Sequence, residues 1–122
     1  KPKNDKTLYG IALLEKAISL IKESSPKYWF IENPRGMMRK IIDESFKKFG
    51  ISDYVRHTVS YCQYGSKIMK PTDIWTNCKK WISKPICKPG APCHMRAGRG
   101  SKTGVQGIYS IEWERERKFS NR

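Results

Sequence analysis

Lys27-Tyr28-Trp29-Phe30-Ile31-Glu32-Asn33-Pro34-Arg35-Gly36 sets four consecutive apolar residues against an acid, an amide, a proline, an arginine and a glycine. A run so short and so apolar predicts a strand over about residues 27–32, buried on both faces as in a parallel sheet. Proline and glycine end it, so Glu32 and Asn33 are expected at its carboxyl end, where open α/β sheets bind ligands. A carboxylate held there by a buried strand is rigid and partly desolvated, which suits hydrogen bonding to a substrate or proton transfer. A solvated turn acid is the competing reading of the same spacing.

On the amino side of this strand, Leu8, Ile11, Leu14, Ala17, Ile18 and Ile21 fall on one face of a helix over Thr7 to about Glu23. Lys16, Ser19, Lys22 and Glu23 lie largely opposite, Asp5 or Thr7 caps the start, and Ser24-Ser25-Pro26 stops it. Gly10 weakens the first turn and allows close backbone contact. On the carboxyl side, Met37, Met38, Ile41, Ile42, Ser45, Phe46 and Phe49 recur at helical spacing, with Gly50 at the expected C-terminal cap; the two methionines read as core filling. Tyr54 to Tyr61 predicts a second strand, and Asp73 to Asn77 a short third one. About ten residues link these two, too few for a crossover and suited to an antiparallel pair. Helix, strand, helix, strand is the order of an α/β sheet with crossover connections.

Beyond Cys78 the periodicity disappears. Gly90, Gly98, Gly100, Gly104 and Gly107 crowd the stretch up to residue 107, Ile108 to Trp113 reads as one more strand, and Glu114 to Arg122 as a mixed-charge tail. Residues 1–77 thus form an α/β domain and residues 78–122 a loop-rich basic module that needs something other than a core to hold it. The chain has 122 residues, room for one domain, and its 38% apolar content with four Trp, six Tyr and four Phe excludes disorder throughout. No apolar run approaches the roughly 20 residues that cross a bilayer.

Lys and Arg number 25 against 11 Asp and Glu, a formal charge of +14. Such a field favours polyanions through phosphate contacts and counterion release, with nucleic acid first among them. The loop Arg96-Ala97-Gly98-Arg99-Gly100-Ser101-Lys102-Thr103-Gly104 adds glycine-freed amides beside guanidinium forks, a phosphate cradle. It is no Walker loop, since the Gly-Lys-Ser/Thr ending and the preceding strand are missing.

The series Cys78-x8-Cys87-x5-Cys93-His94 offers three thiols and an imidazole within 17 residues, the ligand types of tetrahedral zinc. Free thiols and disulfides are the alternatives. No Cys-x2-Cys knuckle is present, and the adjacency of Cys93 and His94 demands an unusual turn if both are to ligate. Cys62, inside the second strand, reads as a small buried hydrophobe, and His57 as a satisfied strand residue rather than a base.

Taken together, Phe30-Ile31-Glu32-Asn33-Pro34-Arg35-Gly36, then Thr58-Val59-Ser60-Tyr61-Cys62-Gln63-Tyr64-Gly65, then Lys70-Pro71-Thr72-Asp73-Ile74-Trp75-Thr76-Asn77, and finally Cys93-His94 through Gly107 resemble the C-5 cytosine-specific DNA methyltransferases, in the short form of bacteria and their phages. The likeness spans most of residues 7–107. It implies a partial class I methyltransferase (Rossmann-like) sheet and transfer of a methyl group from S-adenosylmethionine to carbon 5 of a flipped-out cytosine. By the same resemblance Glu32 hydrogen-bonds the base at N3 and its amino group, and Asn33 shapes the turn beside it. Arg35, Lys70, Arg96, Arg99 and Lys102 are the expected DNA contacts. The expected compartment is the cytoplasm of a bacterial or phage-infected cell.

Two parts of the family pattern are missing: the Pro-Cys motif with the nucleophile, and the glycine-rich strand that binds the methyl donor. The chain is therefore expected to be the carboxyl-terminal half of such an enzyme, with DNA and the amino-terminal half as its partners. The alternative is a non-catalytic, basic nucleic-acid-binding or virion protein on a degenerate methyltransferase scaffold.

Overall fold

A computed structural model describes residues 5–95 of the chain. In order they form helix α1 (Asp5–Ser24), strand β1 (Phe30–Pro34), helix α2 (Met38–Lys48), strand β2 (Val55–Ser60), a 3-10 turn (Tyr61–Tyr64) and strand β3 (Pro71–Thr76). The three strands make one antiparallel sheet in the order β1-β3-β2. Since each neighbour reverses direction, β1 and β2 run the same way with β3 between them, and α2 is the crossover that joins them. Expected residues Arg96, Arg99 and Lys102, the strand at 108–113 and the tail lie outside the described residues.

The chain divides into two compact units: residues 1–57 with 73–82, and residues 58–72 with 83–122. The first owns the apolar core of Leu14, Ile18, Trp29, Ile42, Phe46 and Trp75. In α1, Leu14 and Ile18 are buried one turn apart, as the helical spacing predicts. Asp5 in the first turn and Lys22 in the last complement the helix dipole. The helix stops where Ser25 turns to φ 44°, its amide still bonded to the Ile21 carbonyl at 3.0 Å. Helix α2 buries Ile42, Ser45 and Phe46, and the Phe46 ring packs 5.3 Å from Trp29 and 4.2 Å from Tyr54. Its end is a Schellman motif: Ile51 N–H donates to the Phe46 carbonyl (2.9 Å) and Gly50 N–H to that of Lys47 (3.1 Å), with Gly50 at φ 72°.

Two polar devices hold the first unit in register. The Asn77 side chain accepts from Trp29 N–H and donates to the Lys27 carbonyl, both at 3.0 Å, which fixes the segment leading into β1. Asp73 on β3, with no exposed surface, takes a two-pronged grip from Arg39 of α2 at 2.9 and 2.6 Å. The Asp73 carboxylate in turn raises the Arg39 pKa above its ordinary value, chiefly through the hydrogen bond.

Several sequence expectations are corrected. Strand β1 is not buried on both faces. It lies at an edge of the antiparallel sheet, and its side chains alternate, with Phe30, Glu32 and Pro34 exposed and Ile31 and Asn33 half-buried. An edge strand packed on one face alternates in this way even when its residues are apolar. The strand also starts at Phe30, because the preceding Trp29 is held in the core by Asn77. Met37 is 68% exposed, and only Met38 joins the core. Leu8 is exposed as well, and so are Tyr9, Leu13 and Leu20, which form a second apolar stripe on α1 away from Leu14 and Ile18. Gly10 serves no close approach, since a methyl group there would meet nothing within 4 Å.

Two glycines therefore respond with opposite signs. Gly10→Ala is expected to stabilise the chain by about 0.5–1 kcal/mol, because alanine removes unfolded-state freedom within a helix. Gly50→Ala is expected to cost about 1 kcal/mol, because its φ is left-handed; urea midpoints of the two variants check both. Asp73→Ala, which strands Arg39 against the core, is expected to cost about 3 kcal/mol in the same assay. That is the low end for a broken buried pair, since the guanidinium is partly in water.

Candidate metal centre and nucleic-acid face

The described part of the second unit, residues 58–72 and 83–95, contributes nothing to the apolar core cluster. Polar contacts hold it instead. Tyr61 N–H donates to the Met69 carbonyl (2.7 Å) and closes the loop between β2 and β3, while Gly65 at φ 98° ends the 3-10 turn. The segment 83–95 is pinned to that loop at three places. Lys84 N–H donates to the Tyr64 hydroxyl (2.7 Å), Cys87 N–H to the buried Ser60 Oγ (2.9 Å), and Met95 N–H to the Lys67 carbonyl (2.8 Å).

These anchors bring Cys62, Cys87, Cys93 and His94 together, with all four ligand atoms within 4.8 Å of one another. Sγ of Cys93 lies 3.3 Å from Cys87 Sγ, 3.6 Å from Cys62 Sγ and 3.6 Å from His94 Nδ1, and Cys87 Sγ lies 3.6 Å from that same Nδ1. The four cysteines of the chain are free thiols. Gln63 Nε2 donates to Cys93 Sγ at 3.4 Å. Cys87 and Cys93 are shifted in opposite directions. Burial would push Cys87 up, but hydrogen bonds involving Cys93, Cys62 and Gln63 bring its pKa below the ordinary thiol value. Cys93 is pushed up to about 11, first by its hydrogen bond with Cys87 and then by burial and Cys62. A Cys3His cluster of this kind can bind a metal ion such as zinc.

The ligand set differs from the sequence reading at one position. Cys78 is buried in the first unit just after β3, its N–H donating to Thr76 Oγ1, and takes no part in the cluster. Cys62 takes its place. It is buried as expected but sits in the 3-10 turn rather than in a strand, and its sulfur faces the other ligands. Sequence spacing missed it because the loop between β2 and β3, not the local chain, brings it to Cys93, 31 positions away. Cys93 and His94 both reach the cluster, so their adjacency is no obstacle.

Glu32 is the third of five residues in β1, and its side chain is exposed rather than partly desolvated, because it points away from the face that α1 and α2 cover. Asn33 Nδ2 donates to the Pro34 carbonyl (3.0 Å), bracing the turn that follows. Arg35 is exposed in that turn. His57 is half-buried with its ring 4.5 Å from that of Trp81, a packed strand residue as expected. In the second unit Lys70, exposed and at φ 30°, extends its ammonium over the Tyr61 ring at 5.3 Å, and Lys84 does the same over Tyr64 at 5.1 Å. No Asp or Glu occurs among residues 58–72 and 83–95, which carry Lys67, Lys70, Lys84 and Lys88, all exposed.

Ser60→Ala removes the anchor of Cys87 without removing a ligand. It is expected to weaken divalent-metal affinity by roughly tenfold, measured by competition with a chromogenic chelator; unchanged affinity would show that Ser60 does not orient the cluster. No family model, no curated protein and no solved structure matches this chain.

Proposed function

We propose that the chain is the base-binding and DNA-contacting segment of a DNA (cytosine-5-)-methyltransferase, with Glu32 addressed to the target cytosine. The observation that carries this reading is the Glu32-Asn33-Pro34 step on β1. It combines the residues that resemble the family motif with an outward-facing carboxylate on a strand anchored by Trp29 and Ile31, which pack in and against the core. A cytosine turned out of the duplex would meet this carboxyl group through N3 and its amino group. As a thiolate adds at carbon 6, Glu32 would stabilise the charge that develops on the ring.

The thiolate and the pocket for S-adenosylmethionine, which supplies the methyl group, would belong to the segment bearing the Pro-Cys and glycine-rich motifs. No residue described in this chain is assigned to the donor. Two surfaces support the existence of such a partner. Strand β1 has an open edge in the described sheet, and α1 exposes Tyr9, Leu13 and Leu20 in a stripe opposite its buried face. A helix apolar on both sides is expected where a second layer covers it. Glu32 is exposed in this chain, so on this reading the covering segment has to complete the cleft around it.

DNA contact is supported by residues 58–72 and 83–95 of the second unit, which carry four exposed lysines and no Asp or Glu. Arg35 beside β1, and Arg96, Arg99 and Lys102 outside the described residues, would each add a phosphate contact.

The test pairs this chain, in one polypeptide or co-expressed, with the segment that carries the Pro-Cys motif, and measures methyl transfer to duplex DNA. Transfer is expected, with a drop of about 10²–10⁴-fold in Glu32→Ala, while binding of that variant to DNA stays salt-sensitive and of similar strength. Tight, salt-dependent DNA binding with no transfer in any pairing would instead favour a non-catalytic nucleic-acid-binding protein. Binding indifferent to ionic strength would remove the phosphate contacts from both readings.

A further inference from the structure

The geometry points to a structural zinc(II) site made by Cys62, Cys87, Cys93 and His94, in which the ion ties together the described part of the second unit, none of whose residues belongs to the apolar core cluster. This inference does not rest on the methyltransferase reading.

The distances carry it. A tetrahedral zinc with bonds of about 2.3 Å to sulfur and 2.0–2.1 Å to nitrogen places its ligand atoms about 3.8 Å apart for sulfur pairs and about 3.6 Å apart for sulfur and nitrogen. Two of the three sulfur pairs lie at 3.3 and 3.6 Å and two of the three sulfur–nitrogen pairs at 3.6 Å, with all four atoms within 4.8 Å of one another. Four single-atom donors at that spacing surround one ion, and no polynuclear cluster fits among them. Three soft thiolates and one borderline imidazole select zinc over the hard cations, which take oxygen. Four protein donors leave no open position, so the site builds structure and activates no water.

The surroundings agree with that assignment. Cys87 is oriented through its amide by Ser60, and Cys93 through its sulfur by Gln63. The ion would cross-link the turn after β2 to residues 83–95, where proline and glycine at Pro85, Pro89, Gly90 and Pro92 supply no periodic apolar face.

Metal analysis of the full chain, purified without chelator, is expected to give about one zinc per chain. The decisive comparison is between cysteines: Cys62→Ser loses the zinc and Cys78→Ser keeps it. Retention in Cys62→Ser with loss in Cys78→Ser would overturn the ligand set, and a folded, metal-free protein with four titratable thiols would overturn the site. Should Cys62→Ser fail to fold, cobalt(II) titration of the unaltered chain decides the matter. Intense visible bands of a tetrahedral thiolate complex, with charge-transfer intensity rising in the ratio of four thiolates to three in His94→Cys, uphold the assignment. Pale octahedral cobalt, or no bound cobalt, refutes it. Hydrogen exchange gives an independent readout, since chelation should strip protection from residues 83–95 while leaving α2 protected; equal loss in both would contradict a local role for the ion.

Discussion

Burial of Asp73 imposes the strictest demand on the first unit. A carboxylate without solvent contact in the middle strand of a three-stranded sheet is tolerable only when a cation meets it with well-aligned hydrogen bonds, and Arg39 does so with two. That requirement fixes the rotation of α2 about its axis, since Arg39 must face β3 while Ile42, Ser45 and Phe46 turn to the core. Once α2 is set, Phe46 stacks on Trp29 and Tyr54, and Ile51 caps the helix. Asn77, a few residues beyond Asp73, then closes the unit by clamping the backbone at Lys27 and Trp29.

The second unit solves the opposite problem. With no share in the apolar cluster, it spans 58–72 and 83–95 on side-chain and backbone hydrogen bonds and on the convergence of three sulfurs and an imidazole. Among its described apolar residues only Val59 and Cys62 are buried, too few to offset by packing the entropy of ordering the loops of residues 58–72 and 83–95. Cation–aromatic contacts of Lys70 and Lys84 with Tyr61 and Tyr64 orient two of its charges, and residues 58–72 and 83–95 hold no carboxylate. The proposed nucleic-acid contact rests on the charge of this unit, and the proposed base chemistry on Glu32 in the other.

Much of the first unit was legible in the residues. The 3.6-residue spacing of Leu14, Ile18 and Ile21 and of Ile42, Ser45 and Phe46 specified both helices, and Gly50 marked a helix end that the backbone confirms. The short link after β2 correctly implied an antiparallel partner. Misreadings arose where local composition does not encode what lies alongside. Tyr28 to Ile31 looks like a strand buried on both faces, yet only neighbours decide whether a strand is central or at an edge, and among the described residues β1 has one strand beside it. Tyr9, Leu13 and Leu20 were lost among the other apolar residues of α1 for the same reason.

The metal ligands divide along that line. The sequence by itself determined that thiols and an imidazole gather after residue 77 in a stretch too rich in proline and glycine to pack, because those residue types and their proximity are local facts. It also determined the excess of positive charge and the carboxylate of Glu32. Only the tertiary structure decided that Cys62 rather than Cys78 completes the cluster, and that Glu32 faces outward from an edge strand. The physical reason is common to both: which atoms meet across a turn, and which face of a strand is covered, depend on contacts between residues far apart in the chain, and these have no signature in the spacing of neighbours.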